Sequence, residues 1–272
     1  MPARLWRTLG AVFVVLVFVP PLLLLVSGSL TEPGQPPPPT PRLLPNPVST
    51  AGYEQALALG GLLRAGVNSL LVAAVAVPLS VLVAAWAGFA LARVSRRLTG
   101  VLAVVSLLAL MAPATALLLP RFVLFRLLGL TDTLIPLVAP ALLGASPLYV
   151  LIYYLVFRGL PADLYDTCRL ADLTPMRTWW RFAMPSARPV TAGLTALSFI
   201  LTWSNFLDPL VYVYDRDLFT LPLALRSLSV LDPSDFPVFL AGAVLATVPP
   251  VVVFVLAQRW FLHSDDPTGR FR

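Results

Sequence analysis

Long apolar stretches alternate with short polar and charged segments along the whole chain. A helix needs roughly 20 predominantly apolar residues to cross a bilayer, and six stretches meet that requirement. We predict transmembrane helices at residues 9–29, 66–92, 100–120, 134–157, 189–213 and 237–261. The first stretch follows Arg4 and Arg7, as a secretory signal core follows basic residues, but it exceeds the roughly 7–15 apolar residues of such a core. We therefore expect it to be retained as a span.

The basic residues between the stretches predict how the chain is oriented. Thirteen of the 19 lie before the first stretch, after the second and fourth, or at and beyond the end of the sixth, whereas six lie in the alternate connections. Positive residues concentrate on the cytoplasmic side of membrane proteins. We therefore expect both termini, and the connection at residues 158–188, to be cytoplasmic.

Composition excludes several classes of protein. Hydrophobic residues make up 58% of the chain and charged residues 12%, whereas a soluble domain has about 25% charged residues. The sequence predicts an all-α polytopic membrane protein and excludes a soluble enzyme or a disordered chain. Cys168 is the one cysteine and His263 the one histidine, which rules out an internal disulfide and a multi-histidine metal site. Most basic residues lie at the ends of apolar stretches, so we expect no nucleic-acid partner.

The segments outside the stretches suggest a division into domains. Residues 1–30 hold the amino-terminal end and the first span. Residues 31–65 form an external loop whose eight prolines at 33–47 favour an extended conformation. We interpret this loop as a spacer, with docking of an external partner as the alternative. Residues 66–261 form a five-helix core, and residues 262–272 form a cytoplasmic tail.

The connection at 158–188, which we name the elbow, has the pattern of two short helices joined by a fixed turn. Pro161 is compatible with a first helical turn, where no N–H is needed, and Asp172 suits a left-handed closing position. Thr174 then caps a second helix that begins with Pro175. One face of the first helix carries small and apolar residues, namely Leu164, Thr167, Cys168 and Ala171.

Two interpretations of the elbow are open from the residues alone. Small residues beside Asp163 and Asp166 suit docking of the first helix into a groove of another protein. Alternatively, Trp179, Trp180 and Arg181 anchor a helix at the membrane interface. The second interpretation does not account for two helices with a fixed turn, so we favour docking.

The elbow resembles the signature loop of ABC importer permeases. That signature reads Glu-Ala-Ala, three residues, Gly, nine residues and Ile-x-Leu-Pro, and its spacing is matched by Asp166-Thr-Cys-Arg-Leu-Ala-Asp172 and Phe182-Ala-Met-Pro185. The similarity extends over most of the chain and is to the carbohydrate branch, related to the maltose-transporter permeases. Further segments that resemble this branch are Tyr53, Asn68–Leu70, Phe89–Arg93, Gly129–Thr133, Trp203–Leu210 and Thr220–Leu223.

Several positions depart from the family pattern. Asp166 stands where the signature has Glu, and Asp172 stands where it has Gly. Thr167 and Cys168 replace its two alanines. Each replacement is small or compatible with a turn, so the elbow is expected to keep its two helices and the turn between them. The tail after Gln258 lacks the glycine-rich end that is usual in the family.

The resemblance implies a type I ABC importer permease fold of six transmembrane helices with a cytoplasmic helix-turn-helix coupling loop, in the bacterial inner membrane. It also implies a second homologous permease subunit, an ATPase dimer docked at the elbow and an external solute-binding protein. The solute would be a sugar, an oligosaccharide or a polyol or glycerol phosphate. The residues implied in coupling are Pro161, Leu164, Asp166, Thr167, Cys168, Ala171, Asp172 and Pro185.

No catalytic residue, metal or cofactor is expected on this chain. ATP and Mg²⁺ would bind the partner ATPase. The chain has no lysine and therefore no Gly-x-x-x-x-Gly-Lys phosphate-binding loop.

The fifth predicted span contains a candidate solute path. Asp208 is costly to place in lipid, so we expect it to face a cavity or a partner helix. Trp203 could stack on a sugar ring, and Asn205 could bind hydroxyls. The alternative, which we favour, is that Trp203 packs between helices while Asn205 bridges them.

A secondary transporter or channel working without an ATPase is the alternative function. It would need ionisable relays in several spans, whereas Asp208 is the one good candidate. A membrane enzyme would need clustered polar residues at depth, which the spans lack. A scaffold protein is compatible with the elbow alone.

Overall fold

The structure is a computed structural model that describes residues 2–34, 43–45, 47–59, 61–143, 146–229 and 235–262. Helices joined by turns and short irregular segments make up this described part. The α-helices, in chain order, are α1 Pro2–Ser29, α2 Ala51–Leu59, α3 Leu62–Arg93, α4 Arg96–Met111, α5 Leu118–Leu127, α6 Ile135–Val138, α7 Pro147–Arg158, α8 Ala162–Leu170, α9 Pro175–Thr178, α10 Met184–Ser186, α11 Arg188–Trp203, α12 Leu207–Tyr212, α13 Leu221–Ser229 and α14 Phe236–Leu262. A π-helical turn, Trp179–Ala183, joins α9 to α10.

Four of the six predicted spans coincide with stretches that are long and apolar enough to cross a membrane. These stretches are Thr8–Ser29, Leu62–Arg93, Ile135–Arg158 and Phe236–Arg259. The third predicted span is not one straight helix, because α4 ends at Met111 and the chain bends by 85° before Thr115–Leu127. Pro113 explains the break, since it lacks an N–H and disfavours a helical conformation at the residue before it.

The fifth predicted span, at 189–213, is also divided. It contains α11 and α12 with a break at Ser204–Phe206. The 16 residues of α11 extend about 24 Å, which is less than the roughly 30 Å of a bilayer core. The count of six crossings therefore stays a prediction.

One compact unit comprises Met1–Asn68 and Phe219–Pro249. Two long-range hydrogen bonds connect its parts, and both involve residues that resemble the permease pattern. The Ser29 hydroxyl lies 2.7 Å from the Tyr53 hydroxyl. The buried Asn68 side chain donates to the Phe219 carbonyl oxygen at 3.0 Å, which joins α3 to the approach to α13.

The other compact unit comprises Ser69–Leu218 and Pro250–Arg272. Its core joins α3, α7, the second half of the elbow and α11 through buried apolar side chains. Phe89 and Phe157 meet edge to face with ring centroids 5.6 Å apart, and Tyr153 stacks on Phe157 at 5.6 Å. The other buried members are Val81, Ala84, Ala85, Tyr149, Trp179, Ala183, Ala187 and Leu194.

In the same unit, Asp132 holds the turn before α6 against the segment after α12. Its backbone is left-handed, with φ of 59°, and its carboxylate accepts from the backbone N–H groups of Asp215 at 2.8 Å and Tyr214 at 2.9 Å. These two hydrogen bonds, with that from Asp215 contributing most, lower the pKa of Asp132. The carboxylate therefore stays ionised at neutral pH.

At Gly88, α3 lies close against the backbone of α7. A Cβ atom placed there would lie 2.8 Å from the Tyr154 backbone nitrogen and 2.9 Å from the Val150 carbonyl oxygen. Backbone atoms cannot move aside as a flexible side chain does. The helices pack this closely because residue 88 has no side chain.

We expect Gly88→Ala to destabilise the protein by about 1–3 kcal/mol, the usual range for forcing an extra methyl group into a packed core. Gly66→Ala in the same helix is the matched control, because a Cβ there meets nothing within 4 Å. It should stabilise α3 by about 0.5–1 kcal/mol. Thermal unfolding of the purified protein measures both changes, and equal effects of the two substitutions would contradict the close approach.

Candidate functional site

The first elbow helix, α8, closes with the left-handed turn that the sequence predicts. Asp172 has φ of 50°. Its N–H donates to the Arg169 carbonyl oxygen, and the N–H of Leu173 donates to that of Cys168, both at 3.0 Å. This pair of hydrogen bonds is a Schellman motif, in which glycine is the usual left-handed residue. The prediction for Asp172 is confirmed. The same left-handed conformation explains why the family signature has glycine at this position.

The second half of the elbow begins as predicted and continues without a gap. Thr174 caps α9, with its hydroxyl accepting from the Arg177 N–H at 3.4 Å, and Pro175 occupies the first turn. The π-helical turn and α10 then lead to Ser186. Residues 175–186 are therefore helical without interruption, with a side-chain cap at the start of α9.

The burial of the first helix differs from the expectation. Cys168 is only 3% exposed, so the prediction that it lies on the exposed small-residue face is wrong. Thr167, Ala171 and Asp172 are exposed, as is Pro161, whereas Leu164 and Pro185 are half-buried. The outward surface of α8 therefore consists of Asp163, Asp166, Thr167, Arg169 and Leu170, with Ala171 and Asp172 at its end.

Tyr165 fixes the inward face of α8, and sequence reasoning missed it. Its hydroxyl donates to the Phe157 carbonyl oxygen at 2.8 Å. The Arg93 guanidinium lies 5.8 Å from the Tyr165 ring centroid and 5.1 Å from that of Phe89. Together with Cys168 at i+3, Tyr165 defines the packed stripe of the helix. The i, i+3 spacing of Tyr165 and Cys168 is the sequence signal that could have identified this buried stripe.

The two tryptophans of the elbow have different environments. Trp179 is 1% exposed and lies within the helix core, edge to face with Trp86 at 5.6 Å. Its indole N–H is buried and has no hydrogen-bond acceptor among the described residues. Trp180 is 64% exposed. The interfacial-anchor interpretation therefore fits Trp180 and is wrong for Trp179.

A cavity of about 630 Å³ adjoins the end of the elbow. Trp180, Met184 and Arg188 line it on one side, and Leu256 and Ala257 of α14 line it on another. The elbow is thus packed tightly on its Trp179 side and faces open space on its Trp180 side.

The candidate solute-path residues are engaged within the chain. Trp203 is 5% exposed and stacks on Phe199 with centroids 5.6 Å apart. The Asn205 amide donates to the Asp208 carboxylate at 2.8 Å, and the Asn205 side-chain oxygen accepts from the Asp208 N–H at 3.3 Å. This arrangement caps α12 and stabilises the break after α11. It favours the structural interpretation of Trp203 and Asn205.

No group of three or more His, Cys, Asp or Glu residues that could hold a metal ion occurs in the described part of the chain.

The family of this chain is shown by its similarity to known proteins. Residues 76–264 match the family described as binding-protein-dependent transport system inner membrane component. The chain belongs to this family. It is thus a multi-pass permease subunit of the bacterial inner membrane and not an enzyme, and its family works with ATPase and solute-binding protein partners.

Several transport permeases are similar to this chain, and one of them matches almost its whole length. The arabinooligosaccharides transport system permease protein AraQ of Halalkalibacterium halodurans is 30% identical over 265 residues, covering 94% of this chain and 92% of AraQ. The lactose transport system permease protein LacG of Rhizobium radiobacter is 29% identical and covers 72% and 71%. The sn-glycerol-3-phosphate permease protein UgpE of Yersinia pestis is 28% identical and covers 58% and 56%.

A solved structure shares the fold. The crystal structure of a bacterial ABC transporter involved in the import of the acidic polysaccharide alginate contains a chain that superposes with a TM-score of 0.79. The match covers 95% of this chain and 96% of that one at 19% identity. The chain therefore has the type I ABC importer permease fold that the resemblance implied.

Proposed function

We propose that this chain is the permease subunit of an ATP-driven importer for a sugar or oligosaccharide, and that its elbow transmits ATPase closure to the membrane helices. The observation that carries the mechanism is the burial of Trp179 and Ala183 in the core with Phe89 of α3 and Phe157 of α7. A push on the elbow therefore moves a packed group of helices as one body, which is how hinge and shear transitions operate.

The sugar class rests on the relatives, whose names specify arabinooligosaccharides and lactose. The relative named for sn-glycerol-3-phosphate covers less of the chain. A neutral sugar is therefore the better-supported solute, and a phosphorylated polyol is the other outcome of a substrate screen.

The proposed topology has six crossings with both termini and the elbow in the cytoplasm. One structural observation supports this topology independently of the number of arginines on each side. Arg96, at the start of α4, and Arg158, at the end of α7, line one cavity. Two of the connections that we assign to the cytoplasm therefore lie at the same end of their unit.

The proposed partners are a second homologous permease, an ATPase dimer and an external solute-binding protein. The exposed surface of α8, with Asp166 and Thr167, is the proposed contact with the ATPase. ATP and Mg²⁺ bind that subunit and not this chain, which has no lysine and therefore no Gly-x-x-x-x-Gly-Lys nucleotide-binding loop.

Reconstitution tests this function against the secondary-transporter alternative. We expect proteoliposomes with both permeases, the ATPase and the binding protein to take up sugar only with ATP inside. Liposomes with this chain alone should take up none. Uptake by the chain alone, driven by an ion gradient, would contradict the proposal.

For the solute path, we propose that Asn205 acts as a cap and not as a ligand of the sugar. Asn205→Ala removes both hydrogen bonds to Asp208 and should reduce stability by about 0.5–2 kcal/mol, the range for a lost cap. The ratio of uptake rates for two different sugars should stay unchanged. A change in that ratio at equal protein level would place Asn205 on the solute path.

We expect Asp172→Gly to preserve uptake, because glycine adopts the left-handed conformation without strain. Asp172→Val should destabilise the elbow by about 1–2 kcal/mol, since a side chain branched at Cβ is disfavoured at positive φ. Ala171→Val, one residue earlier at φ of −85°, is the matched control and should have a smaller effect. Loss of uptake in Asp172→Gly would instead show that the carboxylate itself is needed.

A further inference from the structure

A second cavity, of about 310 Å³, lies between α4 and α7. It includes no residue of α8 and none of the solute-path candidates. Its lining residues are Arg96, Thr99, Gly100, Ala103, Tyr154 and Arg158.

Two arginines and no acidic residue line this cavity. Neither Arg96 nor Arg158 forms an ion pair within the described ranges. Both arginines are exposed and therefore accessible to an anionic ligand. Guanidinium groups bind phosphate oxygens in a bidentate manner.

The shape of the cavity leaves room for a headgroup. A Cβ atom at Gly100 would meet nothing within 4 Å, and Ala103 follows at i+3 on the same face of α4. The Tyr154 side chain closes the opposite side, with the Arg158 guanidinium 6.0 Å from its ring centroid. Small residues on one helix and long polar ones on the other thus leave a recess with its positive groups at the helix ends.

The surface next to the recess is apolar and outward-facing. Along α4, Val101 is 60% exposed, Val104 55% and Leu108 60%. Leu155, adjacent to Tyr154 in α7, is 67% exposed. A ligand that fits both features has an anionic head and apolar tails, and basic pockets between membrane helices on the cytoplasmic side bind such lipids.

We propose that the recess between α4 and α7 binds the headgroup of an anionic phospholipid, with phosphate contacts from Arg96 and Arg158 and acyl chains along the exposed face of α4. The bound headgroup contacts both helices and so links α4 to α7 at the end of the unit next to the elbow.

The test measures retained phosphatidylglycerol on the assembled transporter. The complex is reconstituted in phosphatidylcholine vesicles containing phosphatidylglycerol, extracted in detergent, washed and analysed by native mass spectrometry. Arg96→Gln should retain about tenfold less phosphatidylglycerol, because it loses a charge-assisted contact. Arg97→Gln, the same charge change one residue away and outside the recess, should retain it as the wild type does.

Gly100→Leu provides a second variant that fills the recess without changing the charge, and it should also lose the lipid. Assembly of each variant is checked by gel filtration. Equal retention by Arg96→Gln and Arg97→Gln would overturn the proposal, since the binding would then reflect general surface charge. Equally tight binding of inorganic phosphate in place of the lipid would overturn it as well.

Discussion

Replacement of Trp179 by alanine is expected to abolish uptake by the assembled transporter. The side chain is 1% exposed and belongs to the core that joins α3, α7, the elbow and α11. Truncating a buried tryptophan to alanine costs about 3–5 kcal/mol, a large part of the total stability of a typical domain. Because the lost contacts lie between the elbow and the helices, ATP hydrolysis should no longer respond to the loaded binding protein.

Two variants separate coupling from general damage. Trp179→Phe keeps a large ring in the core and removes an indole N–H that has no acceptor among the described residues, so it should retain most of the uptake. Trp180→Ala removes the neighbouring tryptophan, which is 64% exposed, and should have a small effect. Uptake and binding-protein-stimulated ATPase activity are measured at equal amounts of complex. Normal uptake by Trp179→Ala would contradict the role of this contact.

Reversal of charge at Asp166 is the second substitution with a large expected effect. Its carboxylate lies 3.7 Å from the Arg169 guanidinium, and both side chains are largely exposed. An exposed pair of this kind contributes only about 0.3–0.5 kcal/mol to helix stability. Loss of the pair is therefore too small to explain a loss of transport. We nevertheless expect Asp166→Lys to abolish uptake, because it reverses the charge on the surface of α8 that we propose to contact the ATPase.

A charge swap distinguishes docking from helix stability. The double variant Asp166→Lys with Arg169→Asp restores an i, i+3 ion pair within α8 but presents the reversed pattern to the partner. We expect it to remain inactive and to bind the ATPase weakly in a pull-down of the complex. Full recovery of uptake by the swap would show that Asp166 acts only within its own helix.

Local rules predicted the turn of the elbow correctly. A left-handed Asp172 and a capping Thr174 depend on backbone dihedrals and hydrogen bonds within a few residues, and both are present. The buried side of each elbow helix was predicted less well. The side of α8 that carries Tyr165 and Cys168 is bound to α7 through the Phe157 carbonyl oxygen, and Trp179 packs on Trp86 of α3. One sequence does not show which distant helices form these contacts.

The interrupted spans show a similar limit. Pro113 ends α4, whereas Pro78 lies inside α3, which continues for 15 further residues to Arg93. A proline in an apolar stretch therefore does not by itself decide between a kink and a break. Ten residues after Pro78, at Gly88, α3 is still helical and lies against α7.

Sidedness of the elbow is the most direct test of the central claim. Thr167→Cys places a thiol on the exposed surface of α8 in a Cys168→Ala background, which removes the one native cysteine. We expect a membrane-impermeant maleimide to label it in inside-out vesicles and not in right-side-out vesicles, and assembly with the ATPase to block the labelling. Labelling from the outside, or labelling that the ATPase leaves unchanged, would contradict the account.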